Sequence, residues 1–83
     1  MSDLVTIKDA ARAMAVSRST VYRLIQARVL AEKVEAGRLR LEDVPESLRP
    51  YLGSGFPVPT RISPRSLRLD MGDIRAWLEQ QRH

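Results

Sequence analysis

Ser17-Arg18-Ser19-Thr20-Val21-Tyr22-Arg23-Leu24-Ile25 follows Ile7-Lys8-Asp9-Ala10-Ala11-Arg12-Ala13-Met14 after only two residues, Ala15 and Val16. The earlier segment reads as a short amphipathic helix. Ile7, Ala10, Ala11 and Met14 recur at helical spacing. Thr6 supplies an N-cap hydroxyl, with Asp9 three residues on. Ser17 caps a second helix running to about Arg28, in which Val21, Leu24 and Ile25 form one apolar stripe. Two helices joined by so short a turn must cross steeply, which is the geometry of a helix-turn-helix over residues 7–28. Ala10 and Ala11 are small enough for close approach, and Val16 is expected to plug the corner. The turn lacks the glycine often found there.

Outward along the chain, the segment from Val29 to Ser54 is the least regular. Leu30 to Val34 either extends the second helix or follows it, and Gly37 ends it. Arg38 to Leu41 alternates charged and apolar residues, as in a short strand or extended turn. Asp43 is placed to cap a helical turn starting near Val44, with Pro45 tolerated inside it. Pro50 cuts that helix short or precedes a single turn, and Gly53 to Gly55 form a corner.

Beyond that corner, Phe56-Pro57-Val58-Pro59 is extended, because each proline restrains its predecessor. Thr60 to Ile62 and Leu67 to Leu69 are two β runs around the tight turn Ser63-Pro64-Arg65-Ser66. Asp70 caps a final helix over residues 71–82. Asp73 complements its dipole, and Met71, Ile74, Trp77 and Leu78 form its buried stripe. Phe56 and Trp77 are read as core. A hairpin with a basic tip after a helix-turn-helix is a wing, here residues 56–69. The expected fold is mainly α with a small β-hairpin, a winged helix-turn-helix in one domain. A partial echo between Leu39-Arg40-Leu41-Glu42-Asp43-Val44 and Leu67-Arg68-Leu69-Asp70 offers a rival wing position near Ala36 to Arg38.

The chain's 83 residues suffice for one small domain, which buries only about 60% of its unfolded surface. Its formal charge is +4, and Lys8 and Lys33 are the only lysines, so arginine dominates. Residues 1–30 carry five basic and two acidic side chains, residues 31–60 four and five, and residues 61–83 five and three. The positive charge therefore lies at the two ends. Without cysteine there is no disulfide or thiolate metal site, and the single histidine is the terminal His83, read as a tail. No signal peptide and no apolar run near the roughly 18 residues of a membrane span is evident. A cytoplasmic protein without a membrane partner is expected.

On the free face of the second helix, Ser19, Arg23 and Gln26 point away from the apolar stripe, flanked by Arg18 and Tyr22. Arginine and glutamine read base edges in the major groove, and serine bonds a base or a phosphate. Tyr22 suits a phosphate or a thymine methyl. Ser17 and Thr20, at the helix start with its free N–H groups, suit a phosphate. On the hairpin, Arg65 at the tip, Arg61 and Arg68 on the strands, and Ser63 and Ser66 at the turn are the expected wing contacts. An arginine there follows the backbone or enters a narrow minor groove. Asp70 and Asp73 are i, i+3 and read as capping rather than as metal ligands. No nucleophile–base pair and no glycine-rich phosphate loop occur, so neither catalysis nor a cofactor is expected.

The string from Ser17 to Ile25 resembles the recognition helix of the AlpA and excisionase group of winged helix-turn-helix proteins, related to the MerR-type DNA-binding domain. Ile7 to Ala11 resembles that group's first helix. Phe56 to Pro59, Arg61, the Ser63–Ser66 turn, Leu67-Arg68-Leu69 and Ile74-Arg75-Ala76-Trp77-Leu78 resemble its wing and closing helix. The resemblance covers about residues 4–28 and 55–80. It departs at Val29 to Ser54, an insertion where the family's wing follows almost directly. It implies a recombination directionality factor of a phage or mobile element. Such a protein binds adjacent sites on double-stranded DNA, self-associates there, bends the duplex and favours excision by a phage-type integrase. A transcription regulator with the same fold is the alternative, and a protein-interaction module using residues 29–54 a further one.

Overall fold

A computed structural model describes residues 3–81. The described chain is mainly helical, with a small antiparallel sheet, in the arrangement of a winged helix-turn-helix. Strand β1 (Leu4–Val5) leads into helices α1 (Ile7–Met14) and α2 (Arg18–Glu35). Strands β2 (Thr60–Ser63) and β3 (Ser66–Asp70) form the hairpin, and α3 (Met71–Gln80) closes the domain. No described helix is long and apolar enough to cross a membrane.

The capping residues act as their chemistry requires. The Asp9 N–H donates to Thr6 Oγ1 at 3.1 Å, the Thr20 N–H to Ser17 Oγ at 3.2 Å, and the Asp73 N–H to Asp70 Oδ1 at 3.1 Å. Asp70 thus works as a cap. Each bond satisfies one amide that the helix start leaves open.

The turn between α1 and α2 is a Schellman closure. The Val16 N–H donates to Ala11 O at 3.0 Å and the Ala15 N–H to Arg12 O at 3.1 Å. The motif puts Ala15 in the left-handed region, at φ 59° and ψ 39°. α2 ends the same way around Gly37, with Arg38 N–H on Lys33 O and Gly37 N–H on Val34 O. There the left-handed residue, at φ 74°, is the glycine that this backbone favours. The missing turn glycine is therefore a strained alanine. Val16 does not plug the corner. It is 38% exposed, because the motif turns it outward, and the tight approach of the helices is filled by Ala10 and Ala11.

The core joins every layer. Ile7, Ala10, Ala11, Val21, Leu24 and Ile25 from the two helices meet Phe56, Leu69 and Ile74. Trp77 packs edge-on against Phe56, with ring centroids 5.1 Å apart, and its Nε1–H donates to Ser54 O at 2.7 Å. Phe56 is fully buried. It belongs to the core, and the paired part of the wing starts at Thr60.

The sheet has one strand that the pattern does not announce. β3 is central, with β2 on one side and β1 on the other, so that Val5 lies opposite Leu69 and Leu4 opposite Asp70. Two residues are too few for alternation to register. On the other side Arg61 opposes Leu67 and Ser63 opposes Ser66, with a register shift between.

The segment from Val29 to Ser54 decides one open reading and corrects others. Of the two readings of Leu30 to Val34, the extension holds, and α2 runs past Arg28 to Glu35. Arg38 to Leu41 forms no strand, so the rival wing position fails. The helical turn begins at Leu41, ahead of Asp43, and Leu41–Asp43 is a single 3-10 turn. A second such turn, Arg49–Tyr51, contains Pro50 in its first positions. Val44 and Leu48 are buried nonetheless, as is Ala27 on α2. The Arg49 guanidinium ties the loop by donating to Val44 O at 3.1 Å and Glu42 O at 3.0 Å. Residue 82 of the expected final helix, and His83, lie outside the described residues.

Candidate nucleic-acid interface

Helix periodicity sets the outward face of α2. With Val21, Leu24 and Ile25 buried, the opposite side carries Ser19, Tyr22, Arg23 and Gln26, all exposed. Arg18, the first residue of the helix, is exposed beside them. Between Asp9 and Glu32 the chain has no carboxylate, while Arg12, Arg18, Arg23 and Arg28 fall inside that interval. Arg28 pairs with Glu32 at 3.4 Å. Arg18 and Arg23 have no such partner among the described residues.

The hairpin folds back toward the start of α2. Between them opens a cleft of about 360 Å³ lined by Thr6, Ile7, Lys8, Arg18, Tyr22, Arg61, Pro64, Arg65, Leu67 and Arg68. Five cations from α1, α2 and both wing strands with their turn thus converge on one opening, and none pairs with a described carboxylate. Arg61 Nη1 donates to Pro64 O at 3.0 Å and Arg68 Nη1 to Leu67 O at 2.9 Å. These bonds to backbone carbonyls orient the guanidinium groups without neutralising them. Arg65 is exposed at the two-residue tip, Pro64-Arg65.

The expected site residues therefore divide. Arg18 and Tyr22 of α2 come together with Arg61, Arg65 and Arg68 of the wing. Ser19 and Arg23 stand on the adjoining exposed surface of α2. Gln26 is exposed further along, at the rim of a second, apolar groove with Ile25, Val29, Leu30, Pro45 and Leu48. Ser17 and Thr20 spend their hydroxyls on each other, 3.0 Å apart, and Thr20 is half-buried. They shape the helix start. Ser63 and Ser66 face each other across the strands and do not line the cleft.

Lys8 lines the cleft and was missed by sequence reasoning. A signal for it exists. Lys8 is the second residue of α1, where a cation opposes the helix dipole and an acid is preferred. Arg18 opens α2 in the same way, and α2 has no acid in its first turn. α3, which does not line the cleft, follows the ordinary rule with Asp73.

The arrangement gathers guanidinium and ammonium donors around one opening, a chemistry complementary to an anion. No family model, curated protein sequence or solved structure matches this chain.

Proposed function

We propose that the chain is a sequence-specific binder of double-stranded DNA that sets α2 into the major groove and β2–β3 along the adjoining backbone. The observation that carries this reading is the cleft between α2 and the hairpin, where five cations that pair with no described carboxylate line one opening beside the exposed Arg23. In such a division of labour the phosphate contacts position the protein and the base contacts of α2 specify the site. A gel-shift titration against a specific duplex and a scrambled control, at two salt concentrations, tests it. Discrete bands on the specific duplex support the reading. Identical smears on both would leave only non-specific attraction.

The biological role that we propose is that of an excisionase, a recombination directionality factor that bends DNA by binding adjacent sites as successive protomers beside a phage-type integrase. The resemblance of residues 4–28 and 55–80 to the AlpA and excisionase group supports it. An AlpA-like transcription regulator would use the same interface. Bending on a fragment with several sites separates the two, since a regulator acting at one operator needs none.

One observation favours a second activity for residues 29–54. The groove of Ile25, Gln26, Val29, Leu30, Pro45 and Leu48 is mostly apolar, and five of the chain's ten acids lie between Glu32 and Glu46. That chemistry suits a basic, apolar-anchored segment of another protein. A Leu48→Asp exchange that leaves DNA binding intact while abolishing association with a partner would identify it.

A further inference from the structure

We infer that Lys8 is a phosphate-holding residue, which makes α1 a third direct contact of the interface. The inference rests on the duplex-binding reading and adds an element that helix-and-wing recognition does not require. Lys8 lines the same cleft as Arg18, Tyr22, Arg61, Arg65 and Arg68, and it is exposed. No described carboxylate pairs with it. Its place in the first turn of α1 is one where a lysine weakens the helix and an acid would strengthen it. Asp9, the next residue, follows that rule while also neighbouring the cap. A lysine that works against its own helix, yet lines an opening shared with four arginines, is accounted for by an anion between them. A backbone phosphodiester has the charge and the acceptor oxygens that this set of donors matches.

The seat also bridges both helices of the helix-turn-helix and the hairpin. Lys8 belongs to α1, Arg18 to α2, and Arg61 and Arg68 to the paired strands, so one phosphate held between them sets the angle at which α2 meets the duplex. The cost in the free protein is part of the proposal. Stability and affinity must then move in opposite directions when the charge at position 8 is reversed.

The test combines thermal unfolding of the free protein with anisotropy titrations on specific and scrambled duplexes over a salt series. It uses wild type, Lys8→Arg, Lys8→Gln and Lys8→Glu. Lys8→Glu is expected to raise the unfolding midpoint by about 3 °C or more and to weaken DNA binding about ten-fold or more, on both duplexes alike. Lys8→Gln is expected to lower the salt slope by about one, and Lys8→Arg to keep the wild-type slope. Affinity unchanged in Lys8→Glu, with the midpoint raised, would overturn the inference, since Lys8 would then be a solvated side chain. A lowered midpoint would overturn the stability conflict. Amide shifts at Lys8, Arg18 and Tyr22 on titration with inorganic phosphate separate this inference from the reading beneath it. Shifts in a protein that binds no duplex would keep the seat and refute the DNA reading. Duplex binding without a position 8 effect would do the reverse.

Discussion

Ala15 and Arg23 show what a single residue contributes. Ala15 holds a left-handed backbone that costs an L-residue about 1–2 kcal/mol, and it does so because the Schellman closure of α1 demands it. Ala15→Gly removes that strain but gives the unfolded chain more freedom, which offsets part of the gain. The expected result is a stabilisation of about 0.5–1 kcal/mol by urea unfolding, with unchanged DNA affinity. Destabilisation would mean that the turn is unstrained. Arg23 stands exposed on α2 with no described ion-pair partner. Arg23→Ala is expected to cost about 1–3 kcal/mol of binding and to relax specificity at one base pair. An unchanged affinity would remove α2 from base recognition. Both residues were legible in sequence, Ala15 as a turn lacking glycine and Arg23 as the outward face. Lys8 was not singled out: its unfavourable place in the first turn of α1 was legible, but only the cleft shows the cations that surround it.

At the scale of elements, the wing and the final helix have separate tasks. Arg65 at the hairpin tip is expected to follow the backbone, so Arg65→Ala should weaken binding evenly across sequences and lower the salt slope by about one. A selectivity loss equal to that of Arg23→Ala would refute the division between wing and helix. α3 anchors the strand entry instead. Trp77 closes on Phe56 and donates to Ser54 O, which ties the corner at Gly53 to Gly55 against the core. Trp77→Phe keeps most of the packing and leaves the Ser54 carbonyl short of its donor. It is expected to cost about 1–3 kcal/mol in thermal unfolding, and a smaller loss would mean that water replaces the bond. The hairpin and its turn were legible because two short β runs flank a turn-forming tetrapeptide. The pairing of Leu4–Val5 with β3 was not, since a two-residue strand is defined by its partner alone.

For the whole molecule, charge is segregated. The outward face of α2's first turns and the wing are cationic, while five of the ten acids lie between Glu32 and Glu46. Neutralising four to six phosphates predicts that log K falls against log salt with a slope of about −4 to −5. A flat response in anisotropy titrations would refute the electrostatic part of the interface. The acidic segment is joined to the domain by the long continuation of α2 and by Val44 and Leu48, which are buried with almost no regular structure around them.

The sequence by itself determined the two helices and their caps, the tight turn, the hairpin, the closing helix and which residues of α2 face outward. Each of these rests on interactions within a few positions along the chain, where periodicity and capping chemistry operate. Only the tertiary structure decided between extension and interruption of α2 after Arg28, placed two 3-10 turns within residues 36–54, completed the sheet with Leu4–Val5, and brought Lys8 to Arg18 and the wing across one cleft. Those outcomes depend on contacts between residues far apart in the chain. Local propensity is weak at such places, and packing and the closure of the sheet choose among backbone conformations that the sequence alone leaves equivalent.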